Sequence, residues 1–280
     1  YKRQIPLCPY DSCRLLAINL LSYVDKPFTK EASFNFEKFK QHVEKAMRMM
    51  DDIIDLELEK IELIINKIAA DPEDEDIRRV ELELWKKIRT MARKGRRTGL
   101  GITAEGDMLA ALGLRYGTPE ATAFAVKVQK TLALEAYRAS VKMAAERGAF
   151  EIFDARKEEK NPMIGRIREA DPELYAEMVK HGRRNIAMLT IAPTGTTSLM
   201  SQTTSGIEPV FRPVYKRRRK INPSDQDAKV AFVDDMGEKF EEYNVYHHNF
   251  VRWLAANGYD TTRLQTISDE ELEELSLIHI

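Results

Sequence analysis

Cysteine is nearly absent from this 280-residue chain, which has only Cys8 and Cys13. Two cysteines exclude a disulfide-built scaffold and are typical of a protein in a reducing compartment. The sequence also lacks any run of about 18 apolar residues, and its amino end lacks the apolar core of a signal peptide. We therefore expect a soluble, cytoplasmic protein that does not cross a membrane.

Neither sign of charge dominates, because 44 basic side chains face 45 acidic ones and the formal net charge is -1. No overall field recruits nucleic acid or an anionic membrane surface, so any recognition of phosphate must be local. Hydrophobic residues make up 43% of the chain, whose length suffices for one large domain or two ordinary ones. We expect a globular protein that binds no nucleic acid.

Most of the sequence shows the spacing of apolar residues that is typical of helices. One or two amphipathic helices are predicted for 36–70, followed by a solvated acidic turn at Asp71–Asp76. The next helix is predicted to carry its apolar residues, from Ile77 to Met91, on one face. Cap residues and first-turn prolines predict further helices at 118–148 and 171–182.

Other segments are less determined by their pattern. Residues 14–21 are apolar and fit a helix or a strand equally well. Gly99, Gly101 and Gly106 do not have the spacing of the dinucleotide-binding fingerprint. We expect these three glycines to serve close packing.

The sequence changes from apolar to hydroxyl-rich between residues 185 and 198. Asn185–Ile191 is a nearly continuous apolar run that predicts a buried strand, and Pro193 ends it because proline cannot extend the ladder. The residues that follow are Thr194, Gly195, Thr196, Thr197 and Ser198. At a helix start they would offer hydroxyls beside unpaired backbone N–H groups, which favour an anion. Spacing alone leaves open a phosphate-binding turn and an ordinary capped turn.

Two later segments were candidates for binding chemistry. Lys216–Lys220 places five cations together, and we favour a solvated loop over a phosphate site. Aromatic residues between 240 and 253 recur at helical spacing and predict a packed helix. His247 and His248 would point about 100° apart on such a helix, which makes a poor metal pair. The sequence therefore predicts no metal site.

Several blocks occur in an order that resembles a known enzyme family. They are Pro9–Leu20, Arg97–Gly101, Gly106–Asp107, Leu112–Gly113, Arg184–Asn185, Ala192–Thr196 and Gly206–Pro209. Together they resemble the adenosylcobalamin-dependent (class II) ribonucleotide reductases, over most of the chain. The resemblance implies an α/β fold, a ten-stranded barrel with a finger loop, of which this chain would be a helix-rich, carboxyl-side part.

The resemblance also implies roles for individual residues. Thr194, Gly195, Thr196 and Thr197 match the loop that binds the phosphates of the substrate. Cys13 matches the redox-active cysteine that, with a partner cysteine, supplies two electrons to the ribose and becomes a disulfide. Cys8, five residues earlier, is interpreted as a bystander, and a metal site at the two cysteines is not expected.

One departure from the family pattern concerns the residues before Ile5. The family has an Asn, a radical-forming Cys and a Glu directly before this point, whereas this chain has Gln4. Residues 1–4 and 275–280 resemble translated sequencing-adapter ends, so we expect 5–274 to be the carboxyl-side part of the reductase barrel domain. A fragment without the radical cysteine would be inactive by itself.

For the intact enzyme, the resemblance implies reduction of ribonucleoside di- or triphosphates to 2′-deoxyribonucleotides by thiyl-radical chemistry. It implies adenosylcobalamin as cofactor, a thioredoxin-type reductant, deoxynucleotide effectors and a homodimer. One alternative is the large subunit of an iron-dependent class I reductase. A second alternative is a non-catalytic module that binds polyphosphate only through charge.

Overall fold

A computed structural model of the chain describes residues 7–225 and 227–276. Residues 1–4, with Gln4, lie outside the described residues, as do 277–280 of the other predicted non-native end. The described residues form two compact units. Unit 1 comprises the residues up to Asn19 with Asn35–Ile102 and Ala123–Pro193, and unit 2 comprises Leu20–Phe34, Thr103–Thr122 and the residues from Thr194 onward.

Helices predominate among the described residues, as predicted. They are α1 (Phe36–Ala69), α2 (Glu75–Gly95), α3 (Glu105–Ala111), α4 (Pro119–Arg147), α5 (Ala155–Glu158), α6 (Pro162–Ala170), α7 (Pro172–His181), α8 (Gly195–Ser201), α9 (His248–Ala256) and α10 (Asp269–Ser276). In this part of the chain, no helix combines enough length with enough apolar character to span a bilayer.

The strands are short and form small sheets. They are β1 (Arg14–Asn19), β2 (Val24–Asp25), β3 (Ser33–Phe34), β4 (Thr98–Thr103), β5 (Val214–Lys220), β6 (Phe232–Val233) and β7 (Lys239–Tyr246). The sheet orders are β1-β4, β2-β3 and β5-β7-β6. The mixture of helix and strand confirms the predicted helix-rich α/β class, while the strands within 7–225 and 227–276 close no barrel.

The long amphipathic segment is a single helix, α1, which supplies much of the core of unit 1. The Asn35 side chain caps it by accepting a hydrogen bond from the Lys38 amide at 3.0 Å. Its buried apolar positions recur every three or four residues, as the spacing predicted. They are Phe39, Val43, Ala46, Met47, Met50, Ile54, Ile61, Ile65 and Ile68.

The predicted helix is confirmed as α2, but only the part of its apolar face formed by Trp85, Ile88 and Met91 is partly buried. Ile77, Val80 and Leu84 are all exposed, with Val80 at 59%. Ala92 is buried instead, and Arg89 donates to both carboxylate oxygens of Glu62 on α1 at 2.9 Å. The periodicity locates an apolar stripe on a helix, but the stripe is buried only where another element covers it.

The apolar run Asn185–Ile191 does not form the predicted strand. It is an extended segment beside β4, joined by one isolated parallel bridge between Leu100 and Leu189. Its backbone nevertheless bonds with that of β4, since the Leu100 amide donates to Met188 and the Thr190 amide donates to Leu100. Gly101 permits this approach, because a Cβ there would lie 2.1 Å from the Thr190 carbonyl oxygen.

Two predictions in unit 2 are wrong for a common reason. Lys216–Lys220 belongs to strand β5 and not to a loop, and residues 239–246 form β7 and not the start of a helix. The two strands pair antiparallel, with Arg218 opposite Glu242 and Arg219 opposite Glu241. Cross-strand pairs of opposite charge stabilise the pairing of β5 with β7, and the helical spacing of aromatic residues in β7 does not reveal these pairs.

The carboxyl-side part of unit 2 has its own apolar core. Val214 of β5 packs with Phe250 and Leu254 of α9, and with Leu272 of α10. Partly buried Tyr246, Trp253, Leu264, Ile267 and Leu275 surround this cluster. Helix α9 is therefore anchored by its apolar side, which fixes the position of His247 and Asn249 at its amino end.

Candidate functional site

The threonine-rich turn predicted to bind phosphate lies in unit 2, where it begins helix α8. Gly195, Thr196 and Thr197 are exposed and form the first turn of this helix. Their backbone N–H groups have no partner within the helix, as at any helix start. Among the described residues, the hydroxyls of Thr196 and Thr197 have no hydrogen-bond partner either. The predicted helix start is confirmed, and its open donors face solvent.

Thr194 differs from these two threonines because its hydroxyl is buried and bonded. Its Oγ1 accepts from the Gly206 amide at 2.8 Å and lies 3.0 Å from Oγ1 of Thr103. The Thr103 hydroxyl is 3.3 Å from the Thr204 carbonyl. If Thr103 donates to that carbonyl, Thr194 donates to Thr103 and every group is satisfied. Thr194 therefore fixes the shape of the turn.

Asp107 of α3 organises the same region of unit 2 from a buried position. Its Oδ2 accepts from the Thr204 amide and from Asn249 Nδ2, both at 2.8 Å. Its Oδ1 lies 2.8 Å from Nε2 of His247. The Asp107 amide in turn donates to the Thr204 hydroxyl at 3.2 Å. A single carboxylate thus links α3, the segment after α8 and the start of α9.

Sequence patterns do not predict this cluster. His247 and Asp107 are 140 residues apart, and local spacing relates His247 only to its neighbour His248. The available signal was the pair of acidic residues, Glu105 and Asp107, in the otherwise apolar stretch of α3, since buried carboxylates require partners. Gly106, between them, has the packing role predicted. A Cβ at Gly106 would lie 2.6 Å from the Glu208 carbonyl oxygen and 2.7 Å from Cα of Pro209.

Cys13, the predicted redox-active thiol, lies in unit 1 directly before β1. It is a free, partly buried cysteine, whereas Cys8 is free and exposed. Burial raises the pKa of the Cys13 thiol, and the charges of Arg97 and Arg14 oppose this rise. Gly99 on β4 packs against it, since a Cβ there would lie 2.7 Å from the Cys13 sulfur. The thiol is therefore held in a defined, partly desolvated position.

The Arg184–Asn185 block that carried part of the resemblance has a structural role in unit 1. Arg184 Nε donates to Asp51 Oδ2 at 3.1 Å, and Asn185 Nδ2 donates to Asp51 Oδ1 at 3.2 Å. Arg96 Nε also donates to Asp51, at 2.8 Å. Although Asp51, Asp52 and Asp55 lie close together, guanidinium groups already neutralise Asp51. This acidic group is not assigned to a metal.

The amino-acid sequence matches the barrel domain of ribonucleotide reductases over residues 4–274. The chain belongs to this family. The match covers nearly the whole chain and confirms the resemblance carried by the threonine turn and the Gly-Ile-Glu-Pro segment.

Individual reductases show the same relationship. The vitamin B12-dependent ribonucleoside-diphosphate reductase of Thermoplasma acidophilum is 30% identical over 253 residues, 90% of this chain and 26% of that protein. The protein of the same name from Mycobacterium tuberculosis (strain CDC 1551 / Oshkosh) is 29% identical over 215 residues, 76% of this chain and 24% of that protein. The ribonucleoside-diphosphate reductase subunit alpha of Treponema pallidum is 30% identical over 134 residues, 45% of this chain and 15% of that protein. The chain spans about a quarter of the length of the B12-dependent relatives.

The basic strand of this reductase-family chain is not a second phosphate site. Arg218 Nε donates to Glu242 and Arg219 Nε to Glu241, both at 2.6 Å. Lys216 pairs with Asp269, and Lys220 pairs with Glu238. Most of the positive charge of β5 is therefore offset by its neighbours, which weakens the case for a purely electrostatic polyphosphate module.

Proposed function

We propose that this chain is part of a vitamin B12-dependent ribonucleoside-diphosphate reductase, which converts ribonucleotides to 2′-deoxyribonucleotides for DNA synthesis by thiyl-radical chemistry. The observation that carries the proposal is the match to the reductase barrel domain over residues 4–274. The B12-dependent relatives match 76% and 90% of the chain. Relatives named as subunit alpha of ribonucleoside-diphosphate reductase match 45% and 72%, so coverage favours the B12-dependent reductase over the class I alternative.

The exposed start of α8 supports the assignment of the substrate phosphates. Gly195, Thr196 and Thr197 present backbone N–H and hydroxyl donors to solvent, and such donors stabilise a phosphate at a helix start. Thr194 contributes by holding the turn against Thr103 and Gly206. We assign recognition of the diphosphate to these residues together.

The partly buried thiol supports the assignment of Cys13 as a reductant. Replacing the 2′-hydroxyl of the ribose by hydrogen consumes two electrons and releases water. Cys13 and a partner cysteine would supply the two electrons and two protons and become a disulfide. A thioredoxin-type dithiol would then reduce that disulfide by exchange and regenerate both thiols.

Neither of two cavities lined by described residues is large enough to hold the corrin cofactor. A cavity of about 350 Å³ beside α2 in unit 1 and one of about 300 Å³ in unit 2 are both too small for a corrin macrocycle with its adenosyl group. The assignment of adenosylcobalamin to the intact enzyme therefore rests on the names of the relatives, and no residue of this chain is assigned to it.

The remaining partners follow from the same proposal. The intact enzyme would act in the cytoplasm on ribonucleoside diphosphates and respond to deoxynucleotide effectors. It would use a thioredoxin-type reductant, and we propose that it is a homodimer.

The two cysteines of the chain provide a matched test in the intact enzyme. Cys13→Ser should abolish deoxynucleotide formation with a dithiol reductant while leaving nucleotide affinity unchanged. Cys8→Ser should retain turnover, because Cys8 is exposed and has no assigned role. Product formation would be followed by chromatography of labelled nucleotide. Normal turnover of Cys13→Ser would overturn the assignment.

A further inference from the structure

A cavity in unit 2 lies beside the Asp107 cluster, and none of the residues assigned above to the substrate or the reductant lines it. Its volume is about 300 Å³, at the lower end of the range for small-molecule sites. Four aromatic residues line it together with a few polar groups; Phe28 and Phe250 are buried in its wall, whereas Tyr116 and Phe211 are exposed at its rim. A cavity of this size and lining suits one planar ring.

His247 gives this cavity an oriented hydrogen-bond acceptor. The Thr204 amide and the Asn249 side-chain amide both donate to Oδ2 of Asp107, as they would to an ionised carboxylate. An ionised carboxylate can only accept, so we place a proton on Nε2 of His247, which donates it to Oδ1. The other ring nitrogen, Nδ1, has no hydrogen-bond partner among the described residues. In the neutral imidazole this nitrogen accepts, and the carboxylate fixes the ring in place.

Two arginines make the cavity attractive to an anion. Arg115 lines it, is exposed, and has no partner for its guanidinium among residues 7–225 and 227–276. Arg252 lies 5.7 Å from the ring centre of Phe28 and donates to Asn249 Oδ1 at 3.0 Å. The carboxylate that lines the cavity, Asp107, keeps its negative charge, but hydrogen bonds to Thr204, Asn249 and His247 occupy both of its oxygens, and the two guanidinium groups outnumber it. The local field therefore favours a negatively charged ligand.

We propose that this cavity binds a small aromatic carboxylate that carries a hydroxyl group on its ring. The ring packs among the aromatic side chains, the carboxylate pairs with Arg115, and the hydroxyl donates to Nδ1 of His247. A guanidinium and a carboxylate form strong, charge-assisted hydrogen bonds, so Arg115 supplies affinity and His247 selects for the donor. This site is separate from the donors of Gly195–Thr197.

The probe for this site is 4-hydroxybenzoate, titrated into the chain and followed by calorimetry and by amide chemical shifts. Arg115→Gln should weaken binding about tenfold or more, the usual effect of losing a charged hydrogen bond, and Arg115→Lys should restore part of it. His247→Gln keeps a donor toward Asp107 but removes the Nδ1 acceptor, and should weaken binding to a similar degree. Arg217→Gln is the matched control, because Arg217 is an exposed cation on β5 that does not line the cavity.

Changes in the probe test the same contacts without altering the protein. Benzoate lacks the hydroxyl and 4-hydroxybenzyl alcohol lacks the charge, so each should bind about tenfold or more weakly than 4-hydroxybenzoate. Thermal melts of each variant check that the fold is retained, and the probe series stands even if His247→Gln unfolds. Absence of saturable binding, or equal binding to the wild type, Arg115→Gln and His247→Gln, would overturn the proposal. Equal affinity for all three probes would overturn it as well.

Discussion

Replacement of Asp51 by asparagine should destabilise unit 1 more than any surface substitution in α1. Asp51 is fully buried and its side chain accepts hydrogen bonds from Arg96, Arg184, Asn185 and Arg147. Its backbone carbonyl accepts a further bond from Arg96 at 3.0 Å. The substitution would leave the guanidinium of Arg96, which is also buried, without its main counter-charge.

The expected cost follows from the geometry of this cluster. Breaking a buried ion pair from one side costs about 3–5 kcal/mol, because the other charge remains buried and unpaired. Asparagine keeps one acceptor oxygen, and Arg96 keeps Asp55 at 2.7 Å, so we expect about 3 kcal/mol. For a chain of this size that corresponds to a fall of about 6–12 °C in melting temperature. Urea denaturation and thermal melts at neutral pH would measure both.

The neighbouring residue supplies a matched control. Asp52 is 51% exposed at its side chain and pairs with Arg147 at 2.7 Å. Exposed ion pairs contribute about 0–1 kcal/mol, so Asp52→Asn should change the free energy of unfolding by no more than that. Equal effects of the two substitutions would refute the reasoning, since both remove one carboxylate charge from adjacent positions of α1.

The pH dependence gives an independent check with a definite sign. Burial alone would raise the pKa of Asp51, but the hydrogen bond and charge of Arg96, with those of Arg184, outweigh burial and lower it. A carboxylate with a lowered pKa stabilises the fold above its unfolded pKa of about 3.9 and loses that stabilisation as the pH falls through its folded value. The difference in the free energy of unfolding between the wild type and Asp51→Asn should therefore become smaller below about pH 4. A difference in the free energy of unfolding that grows as the pH falls would contradict this account.

Two further predictions concern the surroundings of Cys13. Gly99→Ala should lower the free energy of unfolding, measured by urea denaturation, by about 1–3 kcal/mol, because the added Cβ would lie within 2.8 Å of three side-chain atoms. Gly165→Ala is the control: Gly165 lies in helix α6 and an added Cβ would have nothing within 4 Å, so this substitution should raise the free energy of unfolding by about 0.5–1 kcal/mol. A stabilising Gly99→Ala would be inconsistent with the close packing. In a Cys8→Ser background, iodoacetamide should alkylate Cys13 only at a higher pH than it alkylates an exposed thiol, because burial raises the pKa of Cys13. Arg97→Gln should move the midpoint of this pH dependence higher still, since the charge of Arg97 lowers the pKa of the thiol. A midpoint unchanged by Arg97→Gln would show that its charge does not act on the thiol.

Local sequence patterns predict those parts of the fold that local interactions determine. The spacing of apolar residues located α1, and the acidic cap residues located α2 and α7. Local patterns do not predict the pairing of β5 with β7, because its stability comes from pairs such as Arg218 with Glu242, which are 24 residues apart. Spacing of aromatic residues within one segment cannot reveal a partner strand.

The candidate site, too, can be predicted from the sequence only in part. Residue types alone indicated a hydroxyl-rich turn that could hold a phosphate. They could not separate Thr194, whose hydroxyl is consumed by Thr103 and Gly206, from Thr196 and Thr197, whose hydroxyls face solvent. That distinction depends on the contacts of Thr194 with Thr103, which is 91 positions away, and with Gly206, which is 12 positions away; only the tertiary structure brings these residues together. The phosphate role itself stays a prediction.

The most direct test of the central claim is a titration of the chain with a ribonucleoside diphosphate, followed by the amide resonances of Gly195–Ser198. Saturable shifts at these residues are expected, and Thr196→Val with Thr197→Val should weaken binding by about 1–3 kcal/mol. A control with Thr122→Val and Thr131→Val, whose hydroxyls donate to backbone carbonyls four residues earlier, should leave the affinity unchanged. Shifts confined to Lys216–Lys220, or an affinity unaffected by the first pair of substitutions, would contradict a substrate-phosphate loop at the start of α8.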